Sequence, residues 1–206
     1  MAKYLIVVDY QKDFVNGALG STRAQNIFPD ILQKIRERTR DGWHVIFTFD
    51  THSKDYLDTQ EGKNLPIPHC IEGTPGWEIF GDLINKTTDL IENYNRFVAP
   101  FSEIYLPNPL LVKKTTFGYT EWKYLIPDAE EIEVIGVCTD ICVVSNVLIL
   151  KAQFPEIPIS VDASCCAGVT TDSHKAALNT MKACQVNVSH TIKIHTSNND
   201  SGDMMF

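Results

Sequence analysis

The chain has 206 residues, 44% of them hydrophobic, which is typical of one globular domain with a sizeable core. It carries 18 Lys and Arg residues against 26 Asp and Glu residues, a formal net charge of -8 at pH 7. This charge argues against a nucleic-acid partner or an anionic membrane surface, because both require a cationic face. No apolar run is long enough to span a membrane, and Asp9 interrupts the N-terminal apolar run too early for a signal peptide.

Strand and helix patterns alternate along the chain. The β-branched run 3–9 is typical of a strand buried on both faces, and residues 23–42 place isoleucines at helical spacing before Gly42. Further strands are predicted over residues 43–50, 108–114, 130–137, 157–163 and 186–190, with helices over residues 140–152 and 173–184. This alternation predicts an α/β fold over residues 1–190, a single-domain, three-layer α/β/α structure with a mostly parallel, six-stranded, Rossmann-like sheet. We expect the polar C-terminal tail, residues 191–206, to be mobile.

Chemically capable side chains fall at the predicted carboxyl ends of these strands. Ligands of open parallel sheets bind at that edge, so we expect these side chains to form one site. In chain order they are Asp9, Asp50 with His52, Lys113 or Lys114, Cys138 to Cys142, and Asp162.

The six cysteines form an even set, which by itself would allow disulfides. The chain is long enough to fold without them and nothing indicates secretion, so we expect free thiols and a cytoplasmic location. Cys138 and Cys142, four residues apart, could be a metal clip, core residues or a nucleophile. We predict Cys142 as the nucleophile, because the first turn of a helix favours a thiolate and Thr139 or Asp140 can cap that turn. Cys138, at the strand exit, is then a backbone or pocket residue.

Asp9 and the lysine pair are candidates to support that nucleophile. An isolated aspartate at a strand end is usually a turn or cap residue, but beside a lysine and a cysteine it is a candidate general base. Strand alternation places Lys113 and Lys114 on opposite faces, so one of them should be a solvated surface lysine.

The long segment 51–76 is irregular and rich in Pro, Gly and His, and together with Asp50 it carries potential metal ligands. Asp50, His52 and His69 offer nitrogen and oxygen donors that suit one divalent metal ion, with zinc favoured and iron or manganese as alternatives. Glu61 lies between the two histidines and could complete the set. The alternative is that both histidines only cap loops.

Five motifs, in order over residues 3–190, resemble the isochorismatase-like cysteine hydrolases, and among them the nicotinamidases. "VVDYQKDFV" is similar to the first motif, with its catalytic aspartate at Asp9. "FDTHSKD…PIPHCIEGTPG" is similar to the metal loop of the nicotinamidase branch. "VKKTTFGYT" resembles the lysine motif and selects Lys114, "GVCTDICV" resembles the nucleophile motif and selects Cys142, and "SVDASCCAGVTTDSHKAAL" resembles the closing strand and helix.

The resemblance implies hydrolysis of nicotinamide to nicotinate and ammonia through a thioester, as in NAD salvage. Asp9 would take the thiol proton, and the backbone N–H groups of Cys138 and Cys142 would form the oxyanion hole, helped by a cis peptide between Val137 and Cys138. The metal residues Asp50, His52, His69 and Glu61 would orient the substrate. Phe14, Phe117 and Val137 would line its pocket.

One position departs from the family pattern. Nicotinamidases often have an aromatic residue three positions before the second metal histidine, and here that position is Pro66, preceded by Leu65. Two alternatives therefore accompany the nicotinamidase prediction: hydrolysis of another small amide, or a non-catalytic scaffold of the same fold. We expect a small-molecule substrate, no nucleic-acid or membrane partner, and a homo-oligomer as one possible assembly.

Overall fold

The computed structural model describes residues 1–98 and 109–189, so the predicted tail, residues 191–206, lies outside the described residues, as do residues 108 and 190 of two predicted strands. Six strands form one all-parallel sheet in the order β3-β2-β1-β4-β5-β6, which confirms the predicted α/β class. The strands are β1 (Ala2–Val8), β2 (His44–Asp50), β3 (Leu110–Lys114), β4 (Ala129–Val137), β5 (Ile159–Ala167) and β6 (Asn187–Ser189).

Helices connect these strands. The helix over residues 83–98 was not predicted from the sequence, and it is the longest of the unpredicted helices. The helix predicted over residues 23–42 is two helices that meet at Ile27, and the one predicted over residues 140–152 begins with a π-helical turn, Thr139–Val143. The helices are α1 (Lys12–Val15), α2 (Thr22–Asn26), α3 (Phe28–Arg40), α4 (Gln60–Asn64), α5 (Leu83–Val98), α6 (Trp122–Leu125), α7 (Val144–Gln153) and α8 (Thr171–Ala183).

The strand order reverses at β1, whose two neighbours are β2 and β4. Because crossovers between parallel strands are right-handed, the reversal places the helices on both faces of the sheet. Accordingly, α3 packs against α5 and α7 packs against α8. Ligands of such sheets bind beyond the carboxyl ends of the strands at this reversal, and here β1 leads into Asp9 and β4 leads into Cys138.

The central strand β1 is the middle of the core. Leu5, Ile6, Val7 and Val8 are fully buried, as the continuous apolar run predicts for a strand covered on both faces. Burial of each such side chain contributes about 1.5–3 kcal/mol to folding. The adjacent strand β4 approaches so closely that a Cβ at Gly136 would lie 2.2 Å from the carbonyl oxygen of Val8, and Gly136 also has a φ of +120° that side chains disfavour. The described residues contain no helix long and apolar enough to cross a bilayer.

Asp162 does not lie at a strand end, so our placement of this residue at the site edge is wrong. Between Val134 and Gly136 of β4 the pairing with β5 shifts, and β5 bulges and continues to Ala167. The Asp162 carboxylate contacts Lys34 of α3 at 2.8 Å, inside a buried ion-pair cluster between α3 and the sheet. That cluster, called the Lys34 cluster below, consists of Lys34, Arg38, Glu133 and Asp162.

Candidate active site

Asp9, Lys114 and Cys142 come together although they arise from three separate strand ends. The Lys114 Nζ atom lies 2.6 Å from Asp9 Oδ2 and 3.8 Å from Cys142 Sγ. All three side chains are buried, and that of Lys114 is only 1% exposed. A carboxylate, an ammonium group and a thiol therefore form one compact unit, which has the composition of an assisted cysteine nucleophile.

Asp9 is held by the neighbouring strand β2. The Thr48 hydroxyl donates a hydrogen bond to Asp9 Oδ1 at 2.6 Å and accepts one from the Asp9 N–H at 3.1 Å. The backbone of Asp9 has a φ of +45°, in the left-handed region that residues other than glycine seldom adopt. Such conformations cluster at functional sites, where the surroundings hold them in place.

Burial sets the protonation behaviour of this unit. It raises the pKa of Asp9, against the opposing effect of Lys114, and so makes the carboxylate a stronger base than an exposed aspartate. Burial also raises the pKa of the Cys142 thiol well above its ordinary value, again against Lys114. In the resting protein we therefore expect the proton to be on Cys142, with Asp9 available to accept it.

The side chains of Lys113 and Lys114 lie on opposite faces of β3, as predicted, with Lys114 buried and Lys113 exposed. Burial alone would lower the pKa of Lys114, but Asp9, Cys142 and Asp50 outweigh it, so the pKa is raised and the ammonium group stays charged. Lys113 points outwards, where it pairs with the exposed Glu72.

Cys142, the predicted nucleophile, lies on the π-helical turn Thr139–Val143, before α7 begins at Val144. Our prediction that Thr139 or Asp140 caps this turn is wrong. The Asp140 carboxylate instead accepts hydrogen bonds from the Val169 N–H, and the Thr139 hydroxyl contacts His174 Nδ1 at 2.8 Å. Both side chains thus anchor the turn to the segment around the start of α8. The positively charged partner of the Cys142 thiol is then the Lys114 ammonium group.

The peptide bond between Val137 and Cys138 is cis, as the resemblance implies. This bond connects the end of β4 to the nucleophile turn. The Cys138 carbonyl accepts hydrogen bonds from the N–H groups of Ile141 and Val143, at 3.1 and 3.0 Å.

Asp50, His52 and His69 form a second buried group beside this unit. One ligand atom from each lies within 4.8 Å of the others, which is close enough to share one metal ion. Lys114 Nζ is 3.5 Å from Asp50 Oδ1, so Asp50 also touches the unit around Cys142.

The donor atoms in this group are oriented as metal ligands require. His69 Nδ1 contacts the Ile67 carbonyl oxygen at 2.9 Å, which assigns the proton to Nδ1 and leaves the lone pair of Nε2 directed at Asp50. His52 Nε2 is buried and has no hydrogen-bond partner among the described residues, although Asp50 Oδ2 is 3.0 Å away. A buried imidazole nitrogen without a hydrogen-bond partner, next to a carboxylate and a second imidazole, fits a divalent metal ligand. Glu61 Oε1 lies farther out, 3.6 Å from His52 Nε2 and 3.8 Å from His69 Nε2.

Both groups open into one cavity of about 490 Å³. Cys142 lines it together with Asp50, Glu61 and His69. Its volume is in the range of pockets that bind small organic molecules. The remaining lining residues are Phe14, Leu19, Gln60, Asn64, Leu65, Thr115, Thr116, Phe117, Cys138 and Ile141.

The predicted aromatic walls Phe14 and Phe117 both line this cavity, with Phe14 buried and Phe117 47% exposed at the rim. Val137 does not line it. That side chain is fully buried in β4, and the next residue, Cys138, forms the wall there. Next to His69 the wall is the aliphatic side chain of Leu65. Pro66, at the position where the related motif often has an aromatic residue, does not line the cavity.

The family comparison agrees with this geometry. Residues 3–193 match the isochorismatase domain. The chain belongs to the isochorismatase family. The six-stranded parallel sheet is that of the isochorismatase fold. All six cysteines are free thiols, as predicted.

Similar proteins include several nicotinamidases. The chain is 24% identical to the nicotinamidase/pyrazinamidase of Mycobacterium tuberculosis over 189 residues, covering 88% of this chain and 95% of that protein. It superposes on the crystal structure of nicotinamidase PncA from Bacillus subtilis with a TM-score of 0.73 and 26% identity, covering 92% of this chain and 100% of the other. The pyrazinamidase of Pyrococcus horikoshii in complex with zinc has the same fold, with a TM-score of 0.71, 20% identity and coverage of 93% and 100%.

Several polar residues of this isochorismatase-family site were not identified from the sequence. Thr48 binds Asp9, and Asn146 of α7 donates hydrogen bonds to the carbonyl oxygens of Cys142 and Phe117 at 2.8 and 3.2 Å. Thr48 and Asp9 are 39 positions apart, and Asn146 and Phe117 are 29 positions apart. Local sequence patterns do not indicate such contacts. The only sequence signal is polarity inside an apolar element, as in Thr48 within β2 and Asn146 within the apolar α7.

Proposed function

We propose that this isochorismatase-family hydrolase is a metal-containing cysteine amidase that converts nicotinamide to nicotinate and ammonia. The observation that carries the proposal is the single cavity lined both by Cys142 and by the metal-ligand candidates Asp50 and His69. A nucleophile at one side of a pocket and an anchor at another suit a small planar amide whose ring and carboxamide lie at opposite ends. Relatives named as nicotinamidases support the same substrate.

In the first half of the reaction, Asp9 accepts the thiol proton as Cys142 attacks the carboxamide carbon. Lys114, 2.6 Å from Asp9, stabilises the negative charge that moves between carboxylate and sulfur. The raised pKa of Asp9 suits this proton transfer, because a base works best when its pKa approaches that of the group it deprotonates. The protonated Asp9 then donates that proton to the amide nitrogen of the tetrahedral intermediate, so the C–N bond breaks, ammonia leaves, a thioester remains on Cys142 and Asp9 is a carboxylate again.

The backbone N–H groups of Cys138 and Cys142 are assigned to the oxyanion that forms in this attack. Both residues line the cavity, Cys138 directly before the turn that follows the cis peptide and Cys142 within that turn. In the second half, Asp9 acts again as a base and activates the water that hydrolyses the thioester.

The metal site is assigned to Asp50, His52 and His69, with Glu61 as a further ligand, direct or through water. A divalent ion held there would supply a Lewis-acid anchor for the pyridine nitrogen of nicotinamide. The mixed carboxylate and imidazole donors favour zinc, with iron or manganese as alternatives, and the zinc complex of the pyrazinamidase of similar fold supports this choice. Phe14 and Phe117 are assigned to the two sides of the substrate ring.

A second candidate is another small carboxamide, and the cavity wall favours it. Pro66 stands at the position of the usual aromatic residue, and the wall next to His69 is the aliphatic Leu65. The polar side chains of Gln60 and Asn64 also line the cavity, where they could bind a polar substituent. The substrate would differ while Asp9, Lys114 and Cys142 perform the same chemistry. A scaffold without catalysis would need none of this assembled unit.

Release of ammonia from nicotinamide, measured against a panel of small aliphatic and aromatic amides, tests the proposal. We expect nicotinamide to have the highest kcat/KM of the panel. Faster turnover of a different amide would assign the second candidate. No ammonia from any amide, in protein shown to be folded, would refute the amidase assignment.

A further inference from the structure

The loop that follows β1 contains a buried glutamine whose side chain has no role in the proposed chemistry. Gln11 is fully buried, and its amide holds the backbone of Asp50 on both sides. The Asp50 N–H donates to Gln11 Oε1 at 2.8 Å, and Gln11 Nε2 donates to the Asp50 carbonyl oxygen at 2.9 Å. The same Nε2 also donates to the Trp77 carbonyl oxygen at 2.8 Å. The amide of Gln11 thus fixes the segment that presents the Asp50 carboxylate.

Two residues further on, Asp13 makes a similar contact with the other half of the metal loop. Asp13 Oδ2 accepts a hydrogen bond from the N–H of Cys70 at 2.8 Å, and Cys70 directly follows His69. Cys70 has a φ of +46°, so its backbone lies in the left-handed region, where this hydrogen bond helps to hold it. The Asp13 carboxylate thus fixes the residue that follows His69.

We infer that Gln11 and Asp13 are positioning residues for the metal centre, acting through the backbone of Asp50 and of the residue after His69. This inference rests on the proposed metal site and adds to it the outer contacts that set its geometry. A metal site needs its ligands at fixed distances, and groups that hold the ligands typically change metal affinity 10–100-fold when they are lost. Asp9, Gln11 and Asp13 alternate along the short segment from the end of β1 into α1, so this segment supplies the proposed general base and both supports of the metal site.

Close packing around Asp13 supports this role independently. A Cβ at Gly76 would lie 2.1 Å from Asp13 Oδ2, so the segment after Cys70 approaches the carboxylate as closely as a residue without a side chain allows. The Asp13 carboxylate also accepts the Ala18 N–H at 3.2 Å, which fixes its second oxygen. A methyl group at position 76 would therefore displace the carboxylate from the Cys70 N–H.

Zinc affinity of the whole protein, measured by competition with a chromophoric chelator, tests the inference directly. Gln11→Met keeps the side-chain shape but removes the three hydrogen bonds, and Asp13→Ala removes the contact with Cys70. Asp13→Asn keeps one acceptor oxygen and is the conservative rescue. Lys12→Gln is the matched control, because Lys12 lies between the two residues but pairs with the exposed Glu78.

We expect Gln11→Met and Asp13→Ala to weaken zinc binding about 10–100-fold, and Lys12→Gln to leave it unchanged. Asp13→Asn should recover most of the affinity, and Gly76→Ala should weaken it as Asp13→Ala does. Cobalt-substituted Gln11→Met should show an altered ligand-field spectrum. The alkylation rate of Cys142 in the metal-free variants should stay within about twofold, since the thiol is not part of the metal site.

Equal zinc affinity and equal cobalt spectra in wild type, Gln11→Met and Asp13→Ala would overturn the inference while leaving the proposed metal site intact. Wild-type protein that binds no zinc would overturn the metal site and the inference together. If Gln11→Met does not fold, the Asp13→Ala and Asp13→Asn pair decides, because Asp13 is only half-buried.

Discussion

Lys114 and Lys34 are both buried lysines that contact two carboxylates, but the contacts of Lys114 include two residues that line the cavity, Asp50 and Cys142. The nearest carboxylate oxygen lies 2.6 Å from Lys114, on Asp9, and 2.8 Å from Lys34, on Asp162. Lys114 is also 3.8 Å from the Cys142 thiol, which lines the cavity of about 490 Å³. No residue of the Lys34 cluster lines that cavity.

The difference shows that buried charge does not by itself identify a functional site. The pKa values of Lys114 and Lys34 are both raised by their ion pairs. A perturbed pKa therefore does not distinguish a functional cluster from a structural one, because structural ion pairs have the same effect. The cluster that we propose to be functional differs from the Lys34 cluster by its place at the strand ends, by a thiol among its members and by its contact with residues that line the cavity. The Lys34 cluster lies in the middle of β4 and β5, under α3, and therefore serves stability. The following variants separate the two roles.

The largest effect is expected from the nucleophile. Cys142→Ala should abolish ammonia release, while Cys138→Ala should remain folded and at least partly active, because Cys138 contributes a backbone N–H that alanine retains. Steady-state kinetics with circular dichroism measure both variants. Complete loss of activity in both, with both folded, would mean that the nucleophile is wrongly assigned.

Lys114→Ala should reduce kcat/KM on the order of a hundredfold or more, because Asp9 and the forming thiolate would lose the cation between them. Its control is Lys113→Ala, which should change the rate by less than about threefold, since Lys113 is exposed beside Glu72. A greater loss in the Lys113 variant than in the Lys114 variant would contradict the roles given to the two lysines.

Lys34→Met should show the opposite pattern. The free energy of unfolding should fall by about 2 kcal/mol, because Asp162 would lose a partner whose Nζ is 2.8 Å away in a buried site. In the fraction that remains folded, kcat should stay within about twofold of wild type. Urea denaturation and kinetics on the same preparation test this, and a large fall in kcat without a loss of stability would place the Lys34 cluster in the active site.

Removal of the metal should weaken substrate binding more than it changes the reactivity of the Cys142 thiol. Chelation is expected to raise the KM for nicotinamide by about tenfold or more, with the alkylation rate of Cys142 changed by less than about twofold. Elemental analysis, KM measurement and peptide mapping of the alkylated protein give the three readings. Metal-free protein with full activity in chelator would contradict the role given to Asp50, His52 and His69.

The smallest effect concerns acid stability. Burial alone would raise the pKa of Asp162, but hydrogen bonds from Lys34 and Ser164 outweigh it and hold the pKa below its ordinary value. A carboxyl group whose pKa is lower in the folded state stabilises the folded protein at pH values above its unfolded pKa of about 3.9. This stabilisation is lost as the pH falls from the unfolded pKa through the folded pKa. As the pH drops below about 4, the free energy of unfolding of Asp162→Asn should therefore fall less than that of wild type. Identical pH profiles would contradict the ion pair.

The sequence predicted the strands and the site residues at their ends, because buried parallel strands are long apolar runs and Asp9, Asp50 and Lys114 directly follow or end them. Strand alternation also separated Lys113 from Lys114. The sequence missed what depends on distant partners. The bulge that carries Asp162 away from the strand end arises from pairing with β4, and the contacts of Gln11 with Asp50 join residues 39 positions apart.

The helix α5 was missed although its sequence "LINKTTDLIENYNRFV" carries a helical signal, because Leu83, Leu90 and Ile91 recur at helical spacing. Its Asn and Thr residues are weak helix formers, which obscures this pattern. In the fold, α5 packs against α3, and this contact stabilises the helix.

The central claim, a thioester on Cys142, is tested most directly by turnover of nicotinamide in the presence of hydroxylamine, which cleaves thioesters to hydroxamates. The account predicts that nicotinohydroxamate forms at the expense of nicotinate, and that acid-quenched protein carries the nicotinoyl group on the peptide with Cys142. Turnover that yields only nicotinate at every hydroxylamine concentration, with no acyl group on Cys142, would contradict it.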